Sequence, residues 1–216
     1  MPVTAVGNIV VLNGTPRSGK TSIARAVQTT LDGLWLNLGV DAFSHGITPA
    51  RSMPGIGLRP GGERPDLEPV IPILYDALYD LVIAQCSVSV NVVVDVGHHD
   101  DYSTPMGVLD RVSIRLKVLP AYFIGVRCPI DVIVERRGED DSSRPTTYLQ
   151  RSRDGSIPEP VLRWERAVHD PGMYDLEVDT SRQSPEECAA AIRNRMVQGS
   201  PTAFGEISQR ARDSAH

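Results

Sequence analysis

Residues 8–21 read NIVVLNGTPRSGKT, a short β-branched run that passes without a break into the pattern G-x-x-x-x-G-K-[ST]. The run reads as a buried first strand, and the glycine-bearing stretch after it reads as a tight loop and the opening of a helix. Glycines let the loop curl so that successive N–H groups face phosphate oxygens. Gly19 opens the helix, so the positive end of its dipole faces the same anion. Lys20 supplies a point charge for β- and γ-phosphates, and Thr21 a hydroxyl for Mg²⁺. The expected phosphate cradle is Gly14, Thr15, Pro16, Arg17, Ser18, Gly19, Lys20, Thr21 and Ser22. A plain Gly-rich turn is the alternative, and the complete match in a strand–loop–helix context weighs against it. The motif does not by itself separate a kinase from an ATPase or a GTPase.

Beyond this loop, apolar strand signals alternate with helical ones. Helix is expected at 19–31, and a second strand at 34–40 ending on Asp41. A Gly/Pro-rich loop follows at 48–65. Apolar residues at spacings of three and four predict an amphipathic helix at 67–85, with Pro69 and Pro72 in or before its first turn. Strands follow at 90–96, 121–127 and 175–178. Helices are expected at 105–116, 129–137, 159–169 and 185–197. The pattern predicts an α/β three-layer sandwich, a P-loop NTPase of nucleoside-monophosphate-kinase-like layout with a five-stranded parallel sheet. The kinase domain is expected to span 1–197, with a helical lid at about 138–156 and a polar, mobile tail at 198–216.

A length of 216 residues with 41% hydrophobic content suits one such core. The net charge of −5 argues against a broad attraction to nucleic acid or anionic membrane. Three dispersed cysteines read as reduced thiols. No secretory signal or apolar span of about 20 residues is expected, so the default is a cytoplasmic protein. Homo-oligomerisation stays open.

Two carboxylates fall at strand ends. Asp41 there could act as general base toward an acceptor hydroxyl, or simply cap the next helix. Asp95 follows VVV, as a Walker B metal carboxylate would; a bond to a turn is the alternative. Val96 and Gly97 follow it, without the glutamate of a hydrolytic ATPase, which favours transfer to an acceptor. The His98-His99-Asp100-Asp101 run makes a poor chelating set, because neighbours on a strand point to opposite faces. A pocket-mouth loop with one histidine on substrate and a plain solvated turn both remain open. Arg136, Arg137, Arg144, Arg151 and Arg153 surround an acidic stretch after the fourth strand. A lid there would neutralise the transferring phosphoryl group and exclude water, with Arg136 and Arg144 as the best candidates; a solvated charged helix is the alternative.

Taken together, IVVLNGTPRSGKTS, WLNLGVDAF, VVVDVGHHDD, IGVRCP and AVHDPGMYDLEVDTSRQSPEECAAAI resemble the chloramphenicol phosphotransferases, small ATP-dependent kinases. The resemblance implies transfer of the ATP γ-phosphoryl group, with Mg²⁺ at Thr21 and Asp95, to a hydroxyl of a small molecule. It implies Asp41 as general base, Lys20, Arg136 and, across a one-residue gap, Arg144 in catalysis, and Asp179 and Thr180 near the adenine. The acceptor is expected against Asp41, Phe43, Gly97, His98 and His99. The loop at 50–66, the HHDD run and the tail depart from the family pattern, so another antibiotic or a nucleoside-like natural product is an open acceptor. A metabolic kinase of shikimate- or gluconate-kinase layout and a nucleotide-binding regulator with little turnover are the competing functions.

Overall fold

Ile9–Asn13 forms β1, and all five residues are buried. The computed structural model describes residues 6–52, 55–138, 155–157 and 159–214. Strand β1 lies between Asn91–Val96 (β3) and Ala121–Arg127 (β4). Trp35–Asn37 (β2) adds outside β3, and Leu176–Asp179 (β5) outside β4. The order is β2-β3-β1-β4-β5, with every pairing parallel. A central parallel strand is covered on both faces, which is why IVVL and VVV show no polar alternation.

The pleat divides these side chains between two cores. Ile9, Val11, Val92, Val94 and Phe123 belong to one core. It is completed by Ile71–Ser87 (α3), Val108–Leu116 (α4) and Ala203–Ser214 (α8), in the numbering where α1 is Lys20–Thr30 and α2 is Val40–Ile47. Val10, Leu12, Val93, Ile124 and Val126 pack on the other face with α1 and Pro185–Gln198 (α7). Ile130–Gly138 (α5) and Glu159–Val168 (α6) complete the helices among the described residues. Helix α7 starts at a capping box: the Ser184 hydroxyl accepts from Glu187 N–H, and the Glu187 carboxylate accepts from Ser184 N–H.

Three expectations change. Strand β2 stops at Asn37, so Asp41 sits in the first turn of α2 rather than at a strand end. The segment Glu68–Ser87 is 20 residues long with a mean hydropathy of 1.3, long and apolar enough to cross a bilayer by composition. It is a core helix instead. Ile71, Leu78 and Val82 are fully buried, and Asp76 and Asp80 pair with Arg111 and Arg115 of α4. The expected tail contains α8, held by Phe204 and Ile207 in the core. Asp175 ties that helix down: its side chain is wholly buried and accepts from Phe123 N–H (2.8 Å), Thr202 N–H (2.7 Å) and Arg195 (3.2 Å). The lid stretch 139–154 lies outside the described residues.

Phe204 is 2% exposed, with its ring centroid 4.9 Å from that of Phe123. Phe204→Ala is expected to cost about 3–5 kcal/mol, the usual loss for a deleted core aromatic. Urea unfolding measures it; a loss below about 1 kcal/mol, typical of surface sites, would mean that α8 is dispensable to the fold.

Candidate active site

The phosphate loop leaves the carboxyl end of the central strand, where open α/β sheets bind ligands. Arg17 and Gly19 take positive φ (71° and 93°), which curls the loop before α1 begins at Lys20. Helix α1 has no side-chain cap at Gly19 and no acidic residue in its first turn, so its N–H groups and dipole are left for an anion. Lys20 Nζ folds back onto the carbonyl oxygens of Gly14 (2.8 Å) and Thr15 (2.7 Å). Burial lowers the Lys20 pKa to about 8, against the opposing pull of Asp95 and then Asp41. The two carboxylates the sequence singled out therefore both act on this ammonium.

Thr21 Oγ1 donates to Asp95 Oδ2 at 2.8 Å, so the hydroxyl and carboxylate expected at a Mg²⁺ ion are already side by side. Two hard oxygen ligands, with waters and phosphates to complete the shell, fit a Mg²⁺ bound with its nucleotide. Among the described residues no group of three or more His, Cys, Asp and Glu side chains is placed to hold a metal.

Asp41 is exposed in the first turn of α2, and the capping position belongs to Gly39, which has no side chain to offer. The capping alternative for Asp41 thus fails. Gly39 itself was not foreseen. A Cβ on it would overlap the Asp95 carboxylate, so only glycine lets that carboxylate lie against the start of α2. The sequence signal was the glycine between strand and carboxylate in GVD. Gly39→Ala is expected to weaken divalent-cation binding about 10–100-fold by displacing Asp95. Calorimetric titration of Mn²⁺ in the presence of nucleotide checks this, and wild-type affinity would show that Asp95 has no part in the metal site.

The histidines are neither solvated nor free. His98 is 1% exposed, its Nε2 bonded to Tyr79 Oη (2.7 Å) and its ring stacked on Tyr75 (4.6 Å between centroids). Burial, with a smaller push from His99, drops its pKa to about 3, so it is neutral. His99 is 6% exposed, with Nε2 paired to Leu58 O (3.0 Å) and its ring against Tyr102. Phe43 is likewise in the core, 6% exposed. Gly97 lets Gly14 and Trp164 approach: a Cβ there would lie 3.3 Å from Gly14 O and 3.6 Å from Trp164 Nε1. Among the described residues, the buried polar atoms His98 Nδ1, His99 Nδ1 and Trp164 Nε1 have no hydrogen-bond partner. Leu58, Tyr102 and Trp164 meet His99 only through the fold, so the sequence carries no signal for them.

On the opposite side, Arg136 is committed to a strap. Its guanidinium donates to Thr180 Oγ1 (3.0 Å) and Thr180 O (2.6 Å), and Thr180 Oγ1 donates to Ser18 O (2.8 Å) in the phosphate loop. Arg136 thus braces the loop through Thr180. Asp179 Oδ1 accepts from Ser181 N–H and Oγ–H, shaping the same turn. Arg144 lies outside the described residues.

Residues 7–197 match the family described as chloramphenicol phosphotransferase-like protein. No curated protein matches the chain. Among solved structures, APS kinase from Mycobacterium tuberculosis is 16% identical, with 90% of this chain and 99% of that one covered at a TM-score of 0.55. Shikimate kinase from Acinetobacter baumannii is 11% identical over 89% and 94%, at a TM-score of 0.54. A sugar kinase from a Janibacter species is 19% identical over 88% and 94%, at 0.51. At these identities the likeness is one of fold.

Proposed function

We propose, starting from the fact that this chain belongs to the chloramphenicol phosphotransferase-like family, that it moves the γ-phosphoryl group of ATP to a hydroxyl of an antibiotic-like small molecule. Family membership makes it a kinase-type phosphotransferase. The observation that carries the finer reading is the Lys20 ammonium under the fields of Asp95 and Asp41 at the open, uncapped end of α1. One carboxylate belongs to the Thr21 pair, and the other is exposed in the first turn of α2.

Mg²⁺ bound with the nucleotide would neutralise charge on the β- and γ-phosphates. Lys20 would leave its loop carbonyls for the phosphates. Asp41 would orient the acceptor hydroxyl and take its proton as the new bond from acceptor oxygen to Pγ forms. The bond from Pγ to the β–γ bridging oxygen breaks, and ADP leaves with that electron pair. The acceptor would lie beside the buried, neutral His98 and the loop at Leu58, a wall that would favour an uncharged molecule.

The test is ADP release with chloramphenicol, related antibiotic alcohols, shikimate and gluconate as acceptors. Stimulation by the antibiotic alcohols supports the proposal, and stimulation by a metabolic acid alone replaces it. Thr21→Ala is expected to raise the Mg²⁺ concentration needed for half-maximal rate far more than it raises the KM for ATP, because only a metal-facing hydroxyl is lost. An unchanged Mg²⁺ requirement would put the metal elsewhere.

A further inference from the structure

Asn13, the last residue of β1, is 1% exposed and immediately precedes the phosphate loop. Its Oδ1 accepts from His98 N–H at 2.7 Å. Its Nδ2 donates to Val168 O at 2.7 Å and to Tyr174 Oη at 3.0 Å. The orientation of the amide is forced, because a backbone N–H can only donate and a carbonyl can only accept. Tyr174 Oη receives the Asn13 proton, so its own proton goes to His169 Nδ1 at 2.8 Å; Val168 O, at 3.5 Å, is a poor alternative. His169 is held neutral, chiefly by burial and then by Arg127 and Lys20, which suits Nδ1 as the acceptor.

One side chain thus joins the start of the phosphate loop, the exit of β3 and the end of α6. Packing at the junction is close, since a Cβ on Gly97 would lie 3.3 Å from Gly14 O. Gly14 O also receives Lys20 Nζ. The site needs one acceptor and two donors within a buried space, which a carboxamide supplies. A carboxylate of the same shape supplies no donor and faces Val168 O with like charge.

We propose that Asn13 is a positioning residue that transmits nucleotide binding at the phosphate loop to the acceptor-side wall, through His98 on one arm and through Val168, Tyr174 and His169 on the other. The inference rests on the phosphotransferase reading above. Its physical warrant is a continuous buried hydrogen-bond network, so it calls for a direct measure of coupling.

The test uses the full chain with the non-hydrolysable ATP analogue AMPPNP and Mg²⁺. Calorimetry comes first: no binding by the wild type overturns both the nucleotide reading and the coupling. With binding established, hydrogen exchange is followed at 97–103 and 159–169. The wild type is expected to slow at both segments when AMPPNP binds. Asn13→Asp, compared at saturating AMPPNP, is expected to lose that response at both segments. Tyr174→Phe, which leaves the Asn13–Val168 bond in place, is expected to weaken it at 159–169 and keep it at 97–103. A purely structural role would speed exchange equally with and without nucleotide. A wild type that slows only at the phosphate loop, or an Asn13→Asp variant that responds as the wild type does, overturns the coupling while leaving the phosphotransferase reading intact. Should Asn13→Asp not fold, Asn13→Ala decides, since it removes both arms without adding charge: a retained response at both segments overturns the proposal.

Discussion

Lys20→Ala is expected to abolish measurable phosphoryl transfer while the protein stays folded. The loop's shape comes from its backbone, through the positive φ at Arg17 and Gly19 and the uncapped start of α1, none of which needs the lysine side chain. The ammonium is a preorganised charge aimed at phosphate, and losing such a donor costs about 10²–10³-fold in kcat. The lysine also carries its own pH signature. Burial holds its pKa near 8, so the free protein has it charged below that value and progressively neutral above it. Nucleotide affinity should fall as pH rises through about 8, and binding above that point should take up a proton. Stopped-time ADP assays on Lys20→Ala, with calorimetry of the wild type in buffers of different ionisation enthalpy, check both. Normal turnover in the variant would remove the phosphate role assigned to the loop.

Asp41→Asn gives the second large effect. Asparagine keeps the shape and one hydrogen-bonding oxygen but not the basicity, and general-base help is typically worth about 10²–10⁴-fold. Phosphoryl transfer is often loose, so orientation of the alcohol accounts for part of that loss. Binding of ATP should stay near the wild-type value, because Asp41 acts on Lys20 only as a minor charge behind burial and Asp95. Removing that negative charge should, if anything, lower the lysine pKa slightly. A helix cap would have predicted survival, since Asn caps about as well as Asp. That escape is closed by the geometry, with Gly39 in the capping position. Near-normal kcat in Asp41→Asn would end the base assignment.

The parts of the fold legible in the sequence are those set by local pattern. Strand β4 falls where AYFIGVR suggests, and α1 follows the phosphate loop, because β-branched runs and loop glycines act over a few residues. Strand β2 is shorter than its apolar letters suggest. The apolar letters continue to Val40, but the ladder with β3 ends at Asn37, and the chain turns so that Gly39 can meet Asp95. Helix α8 was hidden by composition: Ala203, Phe204 and Ile207 make a narrow apolar stripe in an otherwise polar segment.

Within the site, the loop and the Thr21–Asp95 pair were readable because a motif carries them. The burial of His98 and His99 was not, since their partners are Tyr79, Tyr75 and Leu58, tens of residues away. Arg136 shows the same limit. Its charge suggested a phosphate partner, while its position on α5 directs it to Thr180 and, through that hydroxyl, to Ser18.

The most direct measurement is mass spectrometry of chloramphenicol and related antibiotic alcohols after incubation with the protein, ATP and Mg²⁺, with ADP quantified in the same sample. The account predicts an acceptor carrying one added phosphate, formed in step with ADP and lost in Lys20→Ala and Asp41→Asn. ATP that binds tightly while every alcohol stays unmodified and ADP release stays unstimulated would contradict it, and would mark the chain as a nucleotide-binding regulator.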